Sequence, residues 1–170
     1  MMGGNITGKD AALSTTKGGH IQVTDVSLKI VNSLTFTVNA YNSDTVIELL
    51  RKTTISGDGD GLFAKDNAMI KMTGGNINAS YIGASFDNSK NTENKLKDVI
   101  ISTGKASLSG GAFAYNNSQV TLENVKVTKA MNSVTVNNKS EITILGGSFD
   151  ATKAAISAYN GSLVTLTNNV

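Results

Sequence analysis

The sequence contains no cysteine, no proline and no tryptophan, and it has a single histidine, His20. Without cysteine there is no disulfide framework, no zinc–thiolate centre and no thiol nucleophile. Packing and hydrogen bonding alone must hold the fold together. Charge is also scarce: 16% of residues are charged and the formal net charge is +2. That balance, with no aromatics interleaved among the basic residues, points away from nucleic acid. No stretch approaches the roughly 18 consecutive apolar residues of a membrane span. The opening Met1-Met-Gly-Gly has neither the basic region nor the apolar run of a signal peptide. Any export signal is therefore expected outside this chain.

What is abundant is Asn, Ser, Thr and Gly, with 17 glycines in 170 residues. These punctuate short apolar stretches that repeat. The clearest unit runs Ser118-Gln-Val-Thr-Leu122-Glu-Asn-Val125-Lys-Val127, where a large apolar residue is followed three and five positions later by further inward candidates. The pattern recurs at Val23, Val26, Leu28; at Leu50, Thr53, Ile55; at Met72, Gly75, Ile77; at Leu96, Val99, Ile101; and at Ile144, Gly147, Phe149, with Leu166 last. Steps between the leading residues are 27, 22, 24, 26, 22 and 22, as a 22-residue coil with loop insertions would produce. Met1-Met-Gly-Gly-Asn-Ile6 matches Met72-Thr-Gly-Gly-Asn-Ile77, so the chain opens in mid-coil, and it ends before its last coil is complete. We expect a segment of a longer solenoid.

A second column contains Asn42, Asn67, Asn88, Asn117, Asn138 and Asn160, with Lys17 in the first coil. Asn tolerates the left-handed backbone of a sharp corner, and stacked Asn side chains form hydrogen-bonded ladders. Four residues before each lies an inward candidate: Leu13, Val38, Phe63, Ala84, Phe113, Val134 and Ile156. Glu48 and Asn94 fall where an apolar residue is expected, both in coils of unequal length. Within each unit apolar and polar residues alternate, the signature of strands. The leucine-rich signature is absent, a propeller blade needs about 40 residues per unit, and a sandwich keeps no such period. The sequence therefore predicts an all-β fold, a right-handed parallel β-helix of about seven coils forming one domain over residues 1–170. Inserted loops are expected at about 89–95 and 102–111.

The Asn and Gly corners, the Thr, Val and Ile strands, the absence of cysteine and the ragged period resemble passenger domains of bacterial autotransporters over the whole chain. The resemblance implies a secreted or cell-surface module that binds host cells or receptors, in the manner of an adhesin or a released virulence ligand, including ligands of the angiogenic type. It implies no cofactor and no catalytic residues, and a protein or glycan of the host surface as partner. Exposed end coils would favour end-to-end self-association of such a segment.

Individual side chains offer further chemistry. Lys90, Lys95, Lys97 and Lys105 lie in or beside the two insertions, where a rigid solenoid carries function, and a basic protrusion attracts sulfated glycans or acidic surfaces. Asp66 and Asp87 are read as one column in adjacent coils, able to act as acid and nucleophile or to hold calcium. That keeps open an alternative, a polysaccharide lyase or hydrolase of the same fold; a structural spacer is the third reading. Asp58 and Asp60 lie in a half calcium loop, Ser56-Gly-Asp58-Gly-Asp60-Gly61, but Met69 stands where the bidentate Glu of an EF-hand would be. His20 has no neighbour in sequence that suggests a ligand set. The Asn-x-Ser triplets at Asn116, Asn138 and Asn160 fall on the repeating corner, where turn chemistry explains them.

Overall fold

The computed structural model describes residues 1–104 and 108–167. Among these residues there is no helix; the chain winds through seven coils, each with three strand-bearing sides. The first coil contributes β1 (Asn5–Gly8), β2 (Leu13–Thr16) and β3 (His20–Thr24). The next three coils contribute β4 (Ser27–Ile30), β5 (Phe36–Tyr41), β6 (Val46–Leu50); β7 (Thr54–Ser56), β8 (Asp60–Lys65), β9 (Met69–Thr73); and β10 (Asn76–Ala79), β11 (Ile82–Asp87), β12 (Lys95–Lys97). β13 (Ile100–Thr103) and β14 (Gly110–Tyr115) open the fifth coil. Beyond them the strands continue round the corners, with register shifts between Val127 and Asn132, giving the long strands β15 (Gln119–Val136) and β16 (Glu141–Ala158), then β17 (Leu163–Thr167). Each strand pairs in parallel with the strand on the same side of the next coil. At ~4.8 Å per coil the rod is roughly 34 Å long.

The core follows from period-two alternation along these strands. On the first side Ile6, Leu28, Ile55, Ile77, Ile101 and Val127 stack in register. On the second side Ala40, Ala64, Phe86 and Ala114 stack, so one fully buried ring fills the space that three alanines leave. Gly61, Gly83 and Gly111 are the second residues of successive second-side strands. A Cβ on any of them would meet the side chain of Ile77, Ile101 or Val127 at 2.6 Å or less. Bare backbone there lets the first-side residues reach the centre.

The third side corrects two sequence expectations. Val23 pairs with Leu49, and Leu49 with Met72, so Leu49 rather than Leu50 leads the second coil. With that shift Ile47 takes the inward place and Glu48 points outward opposite Gln22 and Lys71. Two adjacent leucines beside an insertion made the register ambiguous from sequence. Asn94, by contrast, truly occupies an inward position and is fully buried. Its Oδ1 accepts the Ile70 N–H at 2.9 Å, and its Nδ2 donates to Ser89 Oγ (2.7 Å) and the Asn91 carbonyl (3.1 Å). The amide replaces strand hydrogen bonds where β12 is short.

The corner ladder is also shifted in two coils. Register places Lys17, Asn42, Asp66, Asn88, Asn116, Asn138 and Asn160 in one column, all with φ between 50° and 71°. Asn67 and Asn117 sit one residue later. The corner contains two consecutive left-handed residues, φ 54° and 66° at Asp66-Asn67 and 55° and 64° at Asn116-Asn117. Asn suits either place, which is why the column was misread. Asn88 Nδ2 donates to Asp66 Oδ1 and Asn138 Nδ2 to Asn116 Oδ1, each at 2.9 Å.

Two residues after the ladder position the Asn-x-Ser triplets place their serines. Ser118, Ser140 and Ser162 accept, through Oγ, the backbone N–H of Ser89, Ser118 and Ser140 at 3.0, 3.1 and 3.2 Å. Ser89, Ser118 and Ser140 are fully buried. The triplet is a corner device, in which left-handed residues turn the chain and a serine satisfies a strand N–H of the previous coil.

Of the inserted loops, the first spans 88–94 between β11 and β12, and the second lies between Thr103 and Gly110. A third, residues 31–35 between β4 and β5, is one the sequence did not lead us to expect. It occupies the same corner of the solenoid as the second, three coils earlier.

Candidate functional site

Among the described residues, Lys90, Lys95 and Lys97 do not gather into a basic protrusion. Lys95 and Lys97 lie on β12 rather than in a loop, and both ammonium groups close on the Glu123 carboxylate in the neighbouring coil. Their hydrogen bonds and charge hold Glu123 below the usual carboxylate range and raise Lys97 above its ordinary value, chiefly through the Glu123 bond. Lys90 stands at an exposed corner, where its backbone N–H donates to Asn67 Oδ1 at 3.2 Å. Lys105 lies outside the described residues. Other outward residues of the third side also pair across coils: Gln22 with Glu48, His20 with Glu48 at 3.5 Å, Lys71 with Glu93, and Gln119 with Glu141.

The acidic candidates are engaged as well. Asp66 and Asp87 occupy adjacent columns, not one: Asp87 is in register with Lys65 and Tyr115, whereas Asp66 belongs to the corner ladder. Asp87 faces Lys65 Nζ at 3.5 Å and accepts Asn116 Nδ2 at 2.7 Å. Asp58 accepts the Asn32 N–H at 3.3 Å, and Asp60 accepts the Ile82 N–H at 2.7 Å. Burial raises the Asp60 carboxyl above its ordinary range, with the Ile82 bond opposing. These two carboxylates tie coil to coil. No group of three His, Cys, Asp or Glu side chains with metal-holding geometry occurs among the described residues.

The second side is different. Leu13 pairs with Val38, Val38 with Leu62, Leu62 with Ala84, and Ala84 with Ala112, so Phe63 and Phe113 are not inward residues as expected. Alternation turns both rings to the outer surface of the sheet. The inward places above and below Phe86 take alanine because the ring already fills the centre. Outside, Phe63 stacks on Phe36 of the previous coil, centroids 4.4 Å apart and rings 10° from parallel, close to the spacing of the coils. Tyr41 meets Phe63 edge-on at 5.7 Å. Two coils further, Phe113 and Tyr115 make a second edge-on pair at 5.7 Å, and burial pushes the Tyr115 hydroxyl up to about 12.

Each aromatic group borders a cleft. The first, of about 610 Å³, is bounded by Phe36, Tyr41 and Phe63, by Leu34 and Thr35 of the unexpected insertion, and by the small Ala11 and Ser14 of the first coil. The second, of about 270 Å³, lies between Phe113, Tyr115, Met131, Tyr159 and Leu108. Leu34 and Leu108, 70% and 74% exposed, are carried by the two insertions that share one corner. At the first cleft Asn39 is only 8% exposed, and its Oδ1 has no hydrogen-bond partner among the described residues.

This surface was legible in principle. Leu62-Phe-Ala64 and Ala112-Phe-Ala-Tyr115 place aromatic residues in the polar register of their strands, and apolar residues gathered in that register are the sign of a surface with a second use.

With the coils and their sides established, comparison with known families becomes informative. A family model described as "Right handed beta helix region" matches residues 36–170. The chain belongs to the right-handed β-helix family. No curated protein matches it, and no solved structure does. Members of this β-helix family are defined by the coil itself, so a member's function has to be read from what its outer sides present.

Proposed function

We propose that this β-helix is a non-catalytic binding module of a secreted or surface-displayed bacterial protein, of the autotransporter-passenger type, and that it attaches to host cell surfaces. The observation that carries the reading is the outward second side. Aromatic rings, two exposed leucines on loop insertions and an unpaired amide are gathered on one face, whereas on the third side Lys71, Lys95 and Lys97 are closed on Glu93 and Glu123. A rigid sheet with apolar clefts and few polar groups is the usual form of a binding site. The corners, rich in Asn and Ser, support the passenger reading by their resemblance alone.

The test is binding of the purified chain to mammalian cells over a concentration series, with heparin as competitor. Saturable binding that heparin leaves intact is expected, because the lysines on β12 are already engaged. Displacement by heparin would return the binding site to the lysines. Absence of binding would leave the spacer and the polysaccharide-active enzyme, and degradation of a polysaccharide abolished by Asp66→Asn or Asp87→Asn would establish the latter.

A further inference from the structure

We infer that the second side binds a neutral glycan, with one sugar ring seated against the Phe36–Phe63 stack and a hydroxyl hydrogen-bonded to the Asn39 amide. This rests on the binding-module reading and gives it a ligand class. A pyranose has a flat C–H face that packs on aromatic rings and an edge of hydroxyl groups that both donate and accept. The first cleft offers the complementary pair: aromatic surface from Phe36, Tyr41 and Phe63, and polar atoms from Ser14, Asn39 and Asp10.

Asn39 is the independent sign that something is meant to reach this cleft. An unpaired buried carbonyl costs on the order of 1–3 kcal/mol, and native structures rarely retain one without a use. The amide torsion is soft, so a modest rotation presents the group to a ligand hydroxyl. The cleft's charge narrows the ligand class further. Asp10 is the one charged residue among those lining it, so uronates, sulfated sugars, phosphates and nucleotides meet no cation there and are repelled.

The second cleft, about four coils along the same side, repeats the arrangement of an exposed leucine on an insertion beside an aromatic pair, with Lys153 the one charged residue lining it. The separation is roughly 19 Å at ~4.8 Å per coil. Two weak sites held at a fixed distance favour a chain over a single sugar, because the second contact is made within the complex. The ligand is therefore an oligosaccharide lying along the rod.

Saturation-transfer NMR with the whole chain tests this, using cello-, chito-, galacto- and manno-tetraose as probes. At least one tetraose is expected to bind saturably and more tightly than its monosaccharide. Phe63→Ala and Asn39→Leu should each weaken it about tenfold or more, and Lys97→Glu should leave it unchanged. Asn39→Leu is the decisive variant: removal of an unpaired buried carbonyl should leave the melting temperature unchanged or higher, so lost binding cannot be put down to unfolding. No saturable binding of any probe at millimolar sugar, or equal affinity in both cleft variants, overturns the inference. If the chain binds cells and these sugars neither bind nor compete, the glycan inference fails and the binding reading stands. If neither cells nor sugars are bound, both fail.

Discussion

The second and third sides of this solenoid share the same coil, the same ladders and comparable cores, yet their outer surfaces follow opposite rules. On the third side Lys95 and Lys97 close on Glu123, Lys71 on Glu93, and Gln22 on Glu48. On the second side Phe36, Phe63 and Tyr41 pack on one another beside an amide oxygen without a partner. Stacked coils bring residues of successive turns within contact distance, so a surface column can be satisfied internally by alternating charges. Where it is not so satisfied, the column remains available to something else. Unspent chemistry, rather than the presence of charge, marks the side with a function.

The comparison can be strained at several points. The largest effect is expected inside the second side. Phe86→Ala removes the ring that three alanines are built around and should cost about 3–5 kcal/mol, measured by denaturant unfolding. A small effect would mean that the aromatic surface is not braced by the core beneath it. Asn94→Ala, under the third side, leaves the buried Ile70 N–H and Ser89 hydroxyl short of a partner and should cost about 2 kcal/mol. Asn39→Ala, on the second side, should cost little or stabilise, since that oxygen has no bond to lose. Two buried asparagines with opposite responses would be the sharpest contrast between the sides, and equal losses would abolish it.

Smaller effects come from titration. Tyr115, raised to about 12 by burial, stays protonated in the folded chain at pH values where an unfolded tyrosine ionises. Its contribution is present below the ordinary tyrosine value near 10 and is lost as pH rises through about 12. Absorbance titration should show one late tyrosine, absent in Tyr115→Phe. Glu123 behaves in the opposite sense, because Lys95 and Lys97 depress its pKa. The stability it contributes is present above the ordinary value of 4.5 and is lost as pH falls through its lower folded value. Glu123→Gln should flatten that acid-side slope slightly and leave ligand binding alone, since exposed pairs contribute little.

The coil itself was readable because inward positions repeat by physical necessity: the columns through Leu28, Ile77 and Leu122 cannot tolerate anything but apolar side chains. Register failed where two neighbours were equally suited, at Leu49-Leu50 and at the paired left-handed Asn corners. The candidate site was read less well for a related reason. Phe63 and Phe113 lie four residues before Asn67 and Asn117, so the one-residue slip at those two corners carries into the strands, where Leu62 and Ala112 hold the inward places. The lysines were singled out by their position in an irregular stretch, and sequence spacing does not reveal that Glu123, a full coil away, lies beside Lys95 and Lys97.

The most direct test of the central claim, that the second side and not the third is the binding side, is cell binding by two variants measured against the parent chain. Phe63→Ala should lose most of the saturable binding, and the charge reversals Lys90→Glu and Lys97→Glu together should retain it. Binding that survives Phe63→Ala and disappears with the lysine reversals would contradict the account.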